Sequence, residues 1–321
     1  MLDARNDSYD PWLYEYCGGL QSSAETARYR RHLDDILECG RIDPHGLTAL
    51  DAGCGFGFTL LLLRSLGASH TYGIDSSAAM IATIRAYLPV VPHDLSSRIH
   101  VTEGSVTAMP YGDGSFDLVL SVEAISHYRD VSAFIAEAAR VTRPGGTLLV
   151  RDGNNGRNPK VRRETRALWE EFETGKPSRL VGTHGPDDCY RARRGQIILE
   201  AFPDMSEDVV EDLALRTSSM SRDEILTVVR AYEAGGSPPA SFFDGTDAPL
   251  DPNSDAVVER LFDPYELAAE IAAAGFSTRV SGYWGGAGGN PLVRLANRAL
   301  GAASRITIAS APSFTIAARR L

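Results

Sequence analysis

LDAGCGFGFTLLLL, residues 50–63, passes from a short apolar start through three glycines at alternate positions into a second apolar run. Gly53, Gly55 and Gly57 strip three Cβ atoms from one turn, which permits left-handed dihedrals and lets a ligand lie against bare backbone. In a doubly wound sheet, ligands sit beyond the carboxyl ends of the strands, and the turn after the first strand points at them. A tight strand-to-helix turn packed only against protein uses the same residues, so the glycines need a second feature beside them. Asp75 supplies it. It ends the next strand-like run about twenty residues on, where a carboxylate can accept both hydroxyls of a ribose.

Outward from this turn, short apolar runs alternate with helical patterns. TALD (48–51), TYGID (71–75), IHVTEG (99–104), FDLVLSV (116–122) and TLLVRD (147–152) read as strands bounded by Gly, Asp or Pro. FTLLLLRSLG (58–67), SSAAMIATIRAYLP (76–89) and VSAFIAEAARVTRPGG (131–146) have helical spacing. Strand, helix, strand in this order implies right-handed crossovers, hence an α/β, doubly wound, mostly parallel sheet.

Four regions follow. Residues 1–45 form an N-terminal helical segment in which Leu33, Ile36 and Leu37 mark the apolar face and Gly40 the stop. Residues 46–152 carry the alternating core. Residues 153–260 break the rhythm with helical patterns such as VRRETRALWEEFETG (161–175) and SRDEILTVVRAYEAGG (221–236), an α-helical insertion after the fifth strand. Ser221 and Glu224 there have the spacing of a capping box, with Met220 and Ile225 as its staple. Residues 261–321 resume the core through the helix of FDPYELAAEIAAAGF (262–276) and two final strands, STRVSGYW (277–284) and SFTIAARRL (313–321). GGSPPASFFDGTDAPLDPNSD (235–255) is the long loop.

The chain's 321 residues are long enough for one large core with an appended unit, and a formal charge of −10 opposes broad binding to phosphate backbones. Nucleic acid is therefore not an expected partner. No apolar stretch is long enough for a membrane span, TLLLL ending at Arg64. The start is polar and acidic, so the chain reads as cytoplasmic. Cys17, Cys39, Cys54 and Cys189 lack metal-site spacing and suit reduced thiols. No metal is expected.

The ligand of the glycine turn is narrowed by what is missing. A dinucleotide fingerprint requires G-x-G-x-x-G/A, but Phe58 stands at the third position. There is no phosphate-binding G-x-x-x-x-G-K-[ST] motif, and neither Lys160 nor Lys176 follows a Tyr at the reductase spacing. A nucleoside without an obligatory pyrophosphate fits best.

LDAGCGFG (50–57), YGID (72–75), TEGSVTAMPYGDGSFDLVLSVEAISHY (102–128) and RPGG (143–146), in that order, resemble the class I S-adenosylmethionine-dependent methyltransferases in their small-molecule branch. The resemblance covers roughly 47–152, with weaker support from 262–320. It implies a Rossmann-like sheet of seven strands with the last antiparallel, and S-adenosyl-L-methionine as cofactor. By the same resemblance Asp51, Gly53, Gly55 and Gly57 surround its methionine part, Asp75 its ribose, and Ser105 with Val106 its adenine. Many members have Asp where this chain has Ser105, so the adenine amino group would be met by Ser105, Glu103 or backbone.

Methyl transfer from a sulfonium is an in-line displacement, and an oxygen nucleophile also needs a base whereas a neutral amine does not. His127, after the fourth strand, is the first candidate, since imidazole titrates near neutrality. Glu123 is the second, with Asp152 and His184 behind it. Each has a plain structural alternative as a packed or capping residue. Aromatic residues gather where a site would be covered: Trp169, Phe172, Tyr190, Phe242 and Phe243 in the insertion, Tyr283 and Trp284 in GYWGGAGGN (282–290). The basic KVRR and RRGQ stretches read as solvated faces. The leading expectation is an enzyme that methylates a small-molecule acceptor, at a hydroxyl oxygen of a sugar or secondary metabolite, with the insertion as substrate cap. An NAD(P)-dependent oxidoreductase and a non-catalytic binding or regulatory protein of the same fold stay open, as does the oligomeric state.

Overall fold

The computed structural model describes residues 23–175, 188–285 and 290–321. Cys17, Lys176, His184 and residues 286–289 of the glycine-rich loop lie outside them. The described residues divide into two compact units, one within 23–125, 130–153 and 264–321, the other within 126–129 and 154–263.

The first unit opens with α1 (Ser23–Gly40), whose Leu33, Ile36 and Leu37 pack with Leu63, Leu118, Leu120 and Leu149. Strand β1 (Thr48–Ala52) enters the glycine turn, and α2 (Phe58–Ser65) leaves it. Then come β2 (His70–Asp75), α3 (Ala78–Tyr87), β3 (Ile99–Glu103), β4 (Phe116–Val122), α4 (Val131–Val141) and β5 (Thr142–Asp152). The chain leaves for the second unit, with α5 (Pro159–Thr174), α6 (Tyr190–Ala201), α7 (Glu207–Arg216) and α8 (Arg222–Glu233), and resumes the first with α9 (Pro264–Ala273), β6 (Phe276–Tyr283), α10 (Pro291–Ala302) and β7 (Ser313–Arg320). The sheet order is β3-β2-β1-β4-β5-β7-β6. The first five strands are parallel, and β7 runs antiparallel between β5 and β6. This is the seven-stranded, mostly parallel Rossmann-like sheet expected from the sequence. Strand order reverses between β1 and β4, the crevice where such sheets bind ligands.

Two local readings are corrected. The helical pattern read through RPGG stops at Val141, because Arg143 precedes Pro144 and is disfavoured in helical backbone. Thr142 already pairs with Phe116, and after a register shift Thr147 pairs with Leu118, so RPGG is an irregularity in the opening of β5 with Gly145 at φ 71°. In RRGQ, Arg194 is not solvated: its side chain is fully buried, donating to the Ala214 carbonyl oxygen at 2.8 Å and pairing with Glu173. A guanidinium with carboxylate and carbonyl partners inside a helical cluster is an arrangement that periodicity does not reveal. Around it, Ile197, Ile198, Val210, Leu213, Ile225 and Val229 form the core of the second unit. The Ser221–Glu224 capping box forms as expected.

On α1, His32 lies against the Tyr283 ring, with centroids 5.8 Å apart. Burial, together with the charges of Arg151 and Arg28, lowers its pKa from 6.5 to about 4. The folded state thus disfavours the proton, so this contribution to stability is fully present above pH 6.5 and is lost as pH falls through about 4. The loss amounts to at most about 3 kcal/mol. His32→Phe is expected to flatten the dependence of unfolding free energy on pH across that window; an unaltered slope in denaturant titrations would assign the acid sensitivity elsewhere.

Candidate functional site

The glycine turn is held by β2 and by the start of α3. The Gly53 and Cys54 amides donate to the Ile74 carbonyl oxygen at 2.9 and 3.1 Å, tying the turn to β2. The Gly55 amide donates to Asp75 Oδ2 and the Ser77 amide to Asp75 Oδ1, both at 2.9 Å. One carboxylate thereby fixes the turn and the start of α3, and its remaining lone pairs are available to a ligand hydroxyl. All three glycines have positive φ, at 71°, 50° and 74°.

Their surroundings differ. A Cβ on Gly57 would lie 2.8 Å from the Tyr87 hydroxyl oxygen and 3.1 Å from Ile84 Cδ1, so Gly57 is bare because α3 packs there. Tyr87 also donates to the Phe56 carbonyl oxygen at 2.6 Å, pinning the turn from the protein side. A Cβ on Gly55 would approach only Met80 Sδ, at 3.8 Å, and would project into open space.

Asp51, at the carboxyl end of β1, is buried. Burial and the neighbouring Asp75 charge raise its carboxyl well above the usual carboxylate range, while a hydrogen bond from the Thr59 side chain opposes them. The Thr59 hydroxyl in turn meets the Tyr29 hydroxyl at 3.1 Å. Sequence reading missed Thr59; its signal was a lone hydroxyl in the first turn of an otherwise apolar helix. The same acids and burial push the Cys54 thiol up, so it is a packed group and not a nucleophile.

Beyond β3, Val106 is buried, and the Ser105 hydroxyl lies 2.7 Å from that of Thr107 and accepts from the Thr107 amide at 3.2 Å. Glu103 is the register partner of Asp75 on the neighbouring strand. Glu123 has a left-handed φ of 50°, uncommon for a side chain of its size. Its Oε2 accepts from the Gly153 amide at 2.8 Å and its Oε1 lies 3.6 Å from Arg151 Nε. It bridges the ends of β4 and β5. Asp152 is fully buried at the end of β5. Tyr283 sits under the Arg151 guanidinium, 4.0 Å from its ring centre, and donates to Asp35 at 3.2 Å.

His127 belongs to the second unit. Its Nδ1 lies 2.9 Å from the Val257 carbonyl oxygen, an acceptor, so Nδ1 carries the proton and the neutral ring keeps its lone pair on Nε2. Nε2 lies 3.8 Å from Glu259 Oε1, and Glu259 is itself held by the Asn154 side-chain amide. Glu259, another residue at positive φ, carried no sequence signal because it is far along the chain from His127. Also in this unit, Trp169 is packed, with its indole N–H donating to the Val258 carbonyl oxygen at 2.9 Å.

The strand order defines a Rossmann-like domain. Residues 50–150 match the family described as a methyltransferase domain. Curated relatives include 2-methyl-6-phytyl-1,4-hydroquinone methyltransferase of Synechocystis sp., 35% identical over 123 residues, covering 37% of this chain and 36% of the relative. Ubiquinone biosynthesis O-methyltransferase of Chelativorans sp. is 35% identical over 107 residues, covering 33% and 40%. Ajmaline N-methyltransferase of Rauvolfia serpentina is 35% identical over 101 residues, covering 32% and 34%. The matches thus span little more than a third of each relative's length.

The residues present fit S-adenosyl-L-methionine, the cofactor that the methyltransferase-domain match implies. Gly55 leaves room that a side chain would fill, Asp75 offers a carboxylate to a ribose, and the paired acids Asp51 and Asp75 suit a cationic ligand. Among the described residues, no helix is long and apolar enough to cross a membrane.

Proposed function

We propose that the protein transfers a methyl group from S-adenosyl-L-methionine to a small-molecule acceptor, at a hydroxyl oxygen of a sugar or secondary metabolite. The observation that carries this reading is the open face of Gly55, braced by Asp75 beside the buried Asp51, inside a segment that matches a methyltransferase domain. The cofactor brings an activated methyl on a sulfonium. Asp75 takes the ribose, Asp51 and the glycine turn hold the methionine end, and Val106 with Ser105 borders the adenine. His127 supports an oxygen acceptor: with Nδ1–H engaged by Val257, its Nε2 is free to accept the hydroxyl proton as the methyl moves. Glu123, committed to Gly153 and Arg151, acts as a positioning residue.

The chain departs for the second unit just after β4 and again after β5, at the carboxyl ends where ligands of such sheets bind. We assign acceptor binding to that unit. Replacing residues 160–255 by a short Gly/Ser linker is expected to leave affinity for S-adenosylmethionine intact while abolishing turnover; retained turnover would overturn this assignment. The reaction itself is tested with methyl-labelled cofactor and a panel of phenols, sugars and amines. Transfer to hydroxyl acceptors is the expected result; transfer to amines alone would replace oxygen by nitrogen, and binding without transfer to any acceptor would favour a non-catalytic role.

A further inference from the structure

At the opposite, amino-terminal edge of the sheet lies a cavity of about 600 Å³ in the first unit. Four arginines line it, Arg41, Arg143, Arg279 and Arg319, against two aspartates, Asp43 and Asp117. In a chain of net charge −10, this is a local excess of positive charge. Both acids are committed locally. Asp117 pairs with Arg143 and accepts from the Thr48 amide at 2.7 Å, and Asp43 accepts from the His45 amide at 3.0 Å. Three guanidinium groups are thus left without a carboxylate partner among the described residues. Arg279 donates to the Cys39 carbonyl oxygen, and Arg319 reaches the Thr147 hydroxyl at only 3.5 Å.

Arg41 has no side-chain partner among the described residues, and its backbone is unusual. It follows α1 at φ 56°, with its amide donating to the Glu38 carbonyl oxygen and the Ile42 amide to that of Leu37, each at 2.9 Å. This is the left-handed position after a helix that glycine or asparagine normally fills. An arginine there carries a backbone penalty and points to a use for its charge. The RPGG irregularity contributes Arg143 and Gly145 to the same cavity. Leu47 and Leu118 add apolar wall beside the arginines.

We propose that this cavity binds a soluble organic phosphate, with the phosphate on Arg41, Arg279 and Arg319 and the organic part against the apolar wall. Guanidinium groups pair with phosphate through directed, charge-assisted hydrogen bonds, and a volume of this size accommodates a small metabolite. The site is separate from the glycine turn, which occupies the other end of β1, and it does not depend on the methyl-transfer reading.

Phenyl phosphate and inorganic phosphate, titrated by calorimetry at constant ionic strength, test it. Phenyl phosphate is expected to saturate at one site per chain and to bind more tightly than inorganic phosphate. Arg41→Asn removes the charge but suits the left-handed backbone, so it should preserve or raise thermal stability while weakening phenyl phosphate about tenfold or more. Arg319→Gln should weaken it similarly, and Gly55→Val in the glycine turn should leave it unchanged. Absence of saturable binding, unaltered affinity in both arginine variants, or loss of binding in Gly55→Val would overturn the site. Binding to phosphatidic acid vesicles without binding of phenyl phosphate would overturn the soluble ligand.

Discussion

Gly55→Val is expected to abolish S-adenosylmethionine binding in calorimetric titration while the protein stays folded. The Gly55 Cβ would project into the open space beside Met80, where no other described residue lies within 4 Å and where the proposed cofactor's methionine end would sit. Valine at φ 50° adds strain on the order of 1–2 kcal/mol, which a domain of ordinary stability survives. The neighbouring Gly57 gives the contrast, because a side chain there collides with Tyr87 and Ile84 and should lower stability first. Asp75→Ala removes the proposed ribose acceptor and the brace on the Gly55 amide, and should weaken the cofactor by roughly 1.5 to 3 kcal/mol. Unchanged affinity in both the Gly55 and Asp75 variants would remove the glycine turn from the cofactor site.

His127→Ala should cost about a hundredfold to ten-thousandfold in turnover on a hydroxyl acceptor, with cofactor affinity preserved. The Val257 carbonyl accepts from Nδ1–H and so leaves the Nε2 lone pair to the proposed acceptor proton, and Glu259, 3.8 Å from Nε2, would face the charge that such a transfer creates. Glu259→Gln should therefore lower turnover less than His127→Ala and alter its pH profile. If His127→Ala keeps full rate across the pH range, or loses the cofactor instead, the ring serves only to hold residues 257–259.

The sequence was most informative where local chemistry repeats a simple rule. Alternating glycines after a buried strand, followed by an acid ending the next strand, marked the turn and Asp75 as neighbours of one ligand-facing edge, and the structure joins them through the Gly55 amide. Leu33, Ile36 and Leu37 marked the packed face of α1 because helical spacing leaves them on one side. Ser221 and Glu224 announced their capping box for a similar reason, since both partners lie within one turn. The helices α6 and α7 went unread, and Arg194 was misjudged, because burial of a charge depends on Glu173 and Ala214, which no local pattern links to it.

By itself, the sequence determined the order of the seven strands and of the helices between the first five, the glycine turn and the interruption after the fifth strand, all of which follow from backbone freedom and apolar periodicity along neighbouring residues. Only the tertiary structure decided which glycine faces open space and which packs on Tyr87, that Glu123 bridges two strand ends, that Glu259 stands by His127, and that four arginines from distant segments share one cavity. Those facts depend on contacts between residues far apart in the chain, set by strand register and helix packing, and no local spacing encodes them.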